Sequence, residues 1–130
     1  MNKDWRRRRI GVDLDRCTRL ELLRVYFNAC YYFPGADIEV KETSKGYHIR
    51  IHKQHRLEEN LDVRRALLDD PVRIKFDEMR MVKPELHSWL DTLFRFKVKN
   101  GKIISREEPC NVLAEAFYTK LPCRKPSFLG

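Results

Sequence analysis

Side chains alternate across a strand with period two and return to one helix face every three or four residues, so apolar spacing sorts this chain into elements. Arg9 to Asp15 alternates, with Ile10, Val12 and Leu14 on one side and Gly11, Asp13 and Asp15 on the other. Thr18 and Glu21 form a capping box, and Leu20, Leu23, Phe27 and Tyr31 continue a helical stripe. They predict a helix from Arg19 to Tyr32, ending before Pro34-Gly35. Asp37 to Thr43 alternates again, Ile38 and Val40 inward, and the turn Ser44-Lys45-Gly46 leads into a strand through His52. In that strand Tyr47, Ile49 and Ile51 face the core, and His48, Arg50 and His52 the other way. The two strands are expected to form an antiparallel hairpin, with Gly46 supplying a positive φ.

Leu57 to Leu68 has helical spacing, closed by Asp69-Asp70-Pro71. Val72 to Met79 reads as a strand, Val72, Ile74 and Phe76 inward and Arg73, Lys75 and Asp77 outward. The order strand, helix, strand, strand, helix, strand predicts an α+β fold of ferredoxin-like or RRM-like type, an antiparallel βαββαβ sheet with helices on one face. Beyond it, a short helix is expected over Glu85–Asp91 and a hairpin over Leu93–Ile104 around Asn100-Gly101. Ser105 to Glu108 would cap a last helix, Pro109–Leu121. One domain, 10–121, is expected between a basic arm, 1–9, and an irregular tail, 122–130.

Composition narrows the classes. Hydrophobic residues at 42% and charged residues at 35% argue against global disorder, and a single Gln beside abundant Lys, Arg and Glu resembles a thermophile's usage. A net charge of +8 favours a polyanionic partner, although a basic surface also serves solubility. Arg6, Arg7, Arg8 and Arg9 read equally as a solvated arm or a nucleic-acid contact. No apolar run is long enough for a membrane span and no signal peptide is visible, so an intracellular, cytoplasmic protein is expected. Cys17 and Cys30 bracket one helix, roughly 20 Å apart, and no zinc spacing is present; buried thiols fit best, with a Cys17–Cys110 pairing open.

With these phases, Asp13, Asp15, His48, Arg50, His52, Lys75 and Asp77 share the open sheet face. Clustered carboxylates collect hard divalent cations, Mg²⁺ or Mn²⁺, and two such ions clamp the oxygens of a phosphoryl transfer. Asp15 equally reads as a helix cap, Ser44-Lys45-Gly46 as turn chemistry, and His48 as a solvated strand residue.

Val12-Asp13-Leu14-Asp15, Ser44-Lys45-Gly46-Tyr47-His48 and Arg73-Ile74-Lys75-Phe76-Asp77 together resemble the three motifs of archaeo-eukaryotic primases and the polymerase domain of bacterial repair ligases. That resemblance covers about residues 9 to 80. It implies Asp13, Asp15 and Asp77 as catalytic metal ligands, and Ser44, Lys45 and His48 as phosphate contacts. Arg50, His52 and Lys75 would add charge along the phosphate path. The expected activity is primase-like nucleotidyl transfer on nucleic acid with a nucleoside triphosphate. Family members are usually larger and often carry a zinc element, neither visible here, so non-catalytic nucleic-acid binding on a degenerate primase-like or RRM-like fold is the alternative. A structural subunit with a solvated polar face is the third reading.

Overall fold

The computed structural model describes residues 6–113. Its elements are β1 (Arg6–Arg7), β2 (Ile10–Asp15), α1 (Arg19–Tyr32), β3 (Asp37–Glu42), β4 (Gly46–His52), β5 (His55–Arg56), α2 (Leu57–Ala66) and α3 (Pro71–Met81). A 3₁₀ helix (Pro84–Trp89) follows, then β6 (Phe96–Lys99), β7 (Lys102–Arg106) and β8 (Glu108–Pro109). The fold is α+β, built on a four-stranded antiparallel sheet in the order β2-β4-β3-β8.

Helix α1 begins where its capping box predicts: Thr18 Oγ1 accepts from the Glu21 N–H, and Glu21 accepts from the Thr18 N–H. It crosses the sheet and returns the chain as β3, parallel to β2, with β4 antiparallel between them. The core lies under this unit, where Ile10, Val12, Leu14, Ile49 and Ile51 meet Leu22, Val25 and Ala29. The buried face of α1 is therefore not the predicted stripe, since Leu20, Phe27 and Tyr31 point to solvent. The helix carries apolar side chains most of the way round, and periodicity alone leaves the facing side open.

Residues 72–79 form a helix and not the expected strand. Asp70 caps α3 by accepting from the Val72 N–H at 2.9 Å, and Pro71 occupies the first turn, where its missing N–H is harmless. Ile74 and Asp77 face inward, while Val72, Lys75 and Phe76 are exposed. The ferredoxin-like pattern is thus not completed by a strand beside β2.

That edge of β2 is satisfied by the α2–α3 corner and the segment after the 3₁₀ helix. The Gly11 N–H donates to Asp91 at 2.9 Å and the Asp13 N–H to Asp69 at 2.7 Å. In return, the Gly11 carbonyl accepts from Arg73 and the Asp13 carbonyl from the Asp70 N–H. Three side chains and one backbone N–H therefore do there what a neighbouring strand would otherwise do.

An ionic cluster fixes this corner. Arg64, fully buried, donates to Asp69 at 2.8 Å, Asp77 at 2.7 Å and Asn60 at 2.9 Å. Arg73 reaches both Asp69 at 2.6 Å and Asp91 at 2.9 Å. Burial opposes the Arg73 charge, but these two carboxylates outweigh it and hold its pKa above the ordinary value.

The basic arm is part of the fold from Arg6 onward, since β1 pairs with β5. Arg7 donates to the Leu90 carbonyl at 2.6 Å and Arg9 is half-buried; of the arm residues with described side chains, Arg8 alone is exposed. Asn100 and Gly101, at φ 54° and 77°, make the predicted tight turn between β6 and β7. The last predicted helix is corrected at its start, because Pro109 lies in β8 against Lys41. From residue 114 that helix, and the tail, lie outside the described residues. Cys17, Cys30 and Cys110 are half-buried thiols. Among the described residues, no helix is long and apolar enough to cross a membrane.

Candidate functional site

Strand pairing sets the first contacts. Asp13 lies opposite His48 and Asp15 opposite Gly46, so the end of β2 sits beside the Ser44-Lys45 turn. Thr43 Oγ1 accepts from the Gly46 N–H at 3.0 Å and the Lys45 N–H at 3.3 Å, and the Arg16 N–H donates to the Lys45 carbonyl at 2.6 Å. Gly46 is required here for a reason other than a positive φ: a Cβ would lie 1.9 Å from the Leu14 carbonyl oxygen. The missing side chain lets β4 cross this close to β2 and keeps the turn pressed against Asp15.

The third carboxylate is Asp70, brought in by its N–H donating to the Asp13 carbonyl at 3.1 Å. One oxygen each of Asp13, Asp15 and Asp70 can lie within 4.8 Å of the others. Asp77 takes no part. It stands on α3, bound by Arg64, by Arg80 at 2.7 Å and by the Asp91 N–H at 3.0 Å. Burial works against its charge, but these donors hold its carboxyl below the ordinary value. Its assignment as a metal ligand rests on a strand that the chain does not form.

Asp13 is the strained member. Burial, with Asp15 and Asp69 nearby, pushes its pKa up to about 6, against the opposing pull of His48 and Arg73. Its Oδ1 is buried without a hydrogen-bond partner, and His48 Nε2 stands 3.5 Å away. An all-oxygen donor set with an orphaned carboxylate oxygen fits a hard divalent cation.

His48 and Arg50 do not lie on an open face. The two ends of the segment from Leu93 to Glu107 cover them: Glu107 accepts from Arg50 at 2.6 and 2.9 Å and meets His48 Nδ1 at 2.7 Å, while Arg50 also donates to the Leu93 carbonyl. Burial opposes the Glu107 charge, but Arg50 and His48 together keep its carboxyl below the usual range. Arg50 is therefore a buried structural cation, not a phosphate contact. His52 is partly exposed, 3.9 Å from Glu39, and Lys75 lies on α3 with its side chain exposed; neither joins the site.

A cleft of about 310 Å³ opens between the carboxylates and the β6–β7 hairpin. Asp13, Asp15 and Asp70 line one side together with Ser44, Lys45 and His48; Phe94, Lys97 and Arg106 line the other. Ser44 Oγ and Ser105 Oγ, both in its lining, meet at 3.4 Å. Asp70, Glu107, Lys97 and Arg106 were not legible as site residues in the sequence. Asp70 carried one usable signal, since an aspartate before a proline starts a helix as readily as it ends one. No family model, curated protein or solved structure matches this chain.

Proposed function

We propose that this domain is a primase-like nucleotidyltransferase core, with Asp13, Asp15 and Asp70 holding one or two divalent cations. The observation that carries the reading is the juxtaposition of three carboxylates, one with an orphaned oxygen, and a cleft whose facing wall is cationic. Bound Mg²⁺ or Mn²⁺ would supply charge neutralisation at the reacting phosphate. The chain's own groups bind and orient: Lys45, Lys97 and Arg106 meet a triphosphate, and the exposed ring of Phe94 offers a base a stacking face. Glu107 anchors His48 beside Asp13, which makes His48 a positioning residue for the carboxylate. Relative to the resemblance, the third acidic position moves from Asp77 to Asp70.

Binding without catalysis is the second reading, and one observation favours it. The His48 ring is buried between Glu107 and Asp13, not turned toward a phosphate. Template-dependent nucleotide incorporation with Mn²⁺ separates the two. The first reading expects incorporation by the wild type and none by Asp13→Asn/Asp15→Asn. Nucleotide binding without incorporation would support the second.

A further inference from the structure

The β6–β7 hairpin carries five cations, Arg95, Lys97, Lys99, Lys102 and Arg106, and no carboxylate across its twelve residues from Arg95 to Arg106. Arg95 lies 3.6 Å from Glu39 and 3.7 Å from Glu107. Among the described residues, Lys97, Lys99, Lys102 and Arg106 make no ion pair, although carboxylates are plentiful elsewhere on the chain. The hairpin also leaves large apolar groups in water: Phe96 is 54% exposed and the cross-strand pair Val98–Ile103 about as much, and Phe94, just before it, is 60% exposed. A two-stranded hairpin with both faces solvated is marginal by itself. Unpaired positive charge and exposed rings on one element together describe a surface whose partner is polyanionic and has flat apolar faces.

We infer that this hairpin is a binding surface for single-stranded nucleic acid. The cations meet phosphates, Lys97 and Arg106 at the cleft and Lys99 and Lys102 toward the turn, while Phe96 stacks a base. A duplex matches this surface less well, because its base faces are hidden in the stack and only the phosphates would be met. Phe96, Lys97 and Arg106 also line the carboxylate cleft, so a strand on the hairpin runs directly toward Asp13 and Asp15. The inference rests on the nucleotidyl-transfer reading for that destination, but not for the binding itself.

Fluorescence anisotropy of a labelled oligothymidylate, with a duplex of equal length as competitor, tests it across a salt series. The variant Lys99→Ala/Lys102→Ala lies outside the cleft and is expected to flatten the log–log salt slope by about 1.4, at about 0.7 per single-strand phosphate contact. Phe96→Ala is expected to weaken binding about 5- to 150-fold at an unchanged slope. All three side chains are exposed, so each variant should unfold with the wild type. An unchanged slope in the lysine variant, a duplex that competes as well as the single strand, or binding to phosphatidylglycerol vesicles without oligonucleotide binding would each overturn the inference. Failure of the catalytic reading shows differently: the wild type would bind oligonucleotide yet neither bind Mn²⁺ nor incorporate nucleotide.

Discussion

Asp13→Asn should make the metal-free protein more stable at neutral pH, an unusual outcome for changing a half-buried residue. Asp13 has its pKa raised from 3.8 to about 6, mainly by burial and then by Asp15 and Asp69. Between those pH values the folded state holds a proton that the unfolded state has released. Stability from this group is therefore complete below about pH 4, declines as pH rises to about 6, and stays low above. Raising a carboxyl pKa from 3.8 to about 6 corresponds to about 3 kcal/mol. The carboxylate retains 18% of its exposure, and solvent screening reduces the figure to about 1–2 kcal/mol at pH 7. Asparagine keeps the shape and removes the charge. Urea denaturation without metal should give a higher midpoint for Asp13→Asn at pH 7 and equal midpoints near pH 4, with unchanged slopes. Saturating Mn²⁺ should reverse the order, adding about 2.7 kcal/mol to the wild type alone at a hundredfold excess over Kd. A metal-free Asp13→Asn protein less stable than the wild type by 1 kcal/mol or more at pH 7 would refute the reasoning.

Arg64→Met leaves Asp69 and Asp77 buried without their cation and should lose about 3–5 kcal/mol by urea denaturation; a loss under 1 kcal/mol would mean the cluster is solvated. Gly46→Ala sets a methyl group against the Leu14 carbonyl, so thermal unfolding should register a loss of about 3 kcal/mol, and a wild-type melting curve would contradict the close crossing. Asp77 and Glu107 both have carboxyls held below their ordinary values, so their stabilisation is complete above about pH 4.5 and is lost as pH falls below it. Glu107→Gln should flatten that acid limb while lowering stability at pH 7; an acid limb as steep as the wild type's would place the titration elsewhere. Mn²⁺ affinity should rise as pH passes upward through about 6, where Asp13 loses its proton; a flat profile from pH 5 to 7 would separate Asp13 from the metal.

The elements whose burial is apolar were the legible ones. Period-two alternation placed β2, β3 and β4 in the right phase, and the Thr18–Glu21 box and Asn100-Gly101 turn marked their elements without tertiary help. Residues 72–79 misled because the inward face of α3 is charged: Asp77 is buried by pairing with Arg64, and Arg73 by pairing with Asp69 and Asp91. A reading that takes apolar as inside then finds the alternation of Val72, Ile74 and Phe76, two of which are exposed. The same inversion hid Arg50, whose burial depends on Glu107, fifty-seven residues away. Asp13 and Asp15 were legible as neighbours because one strand carries both; Asp70 arrives through hydrogen bonds between distant segments, its own N–H to the Asp13 carbonyl and those of the adjoining Asp69 and Arg73 to β2.

The most direct test is an Mn²⁺ titration followed by the loss of the free-ion electron paramagnetic resonance signal, comparing wild type, Asp70→Asn and Asp77→Asn. If Asp13, Asp15 and Asp70 form the cation site, Asp70→Asn weakens binding at least tenfold, while Asp77→Asn, where it folds, binds as the wild type does. Wild-type Mn²⁺ affinity in Asp70→Asn, or no binding by the wild type at millimolar ion, would contradict the metal centre on which the nucleotidyl-transfer reading stands.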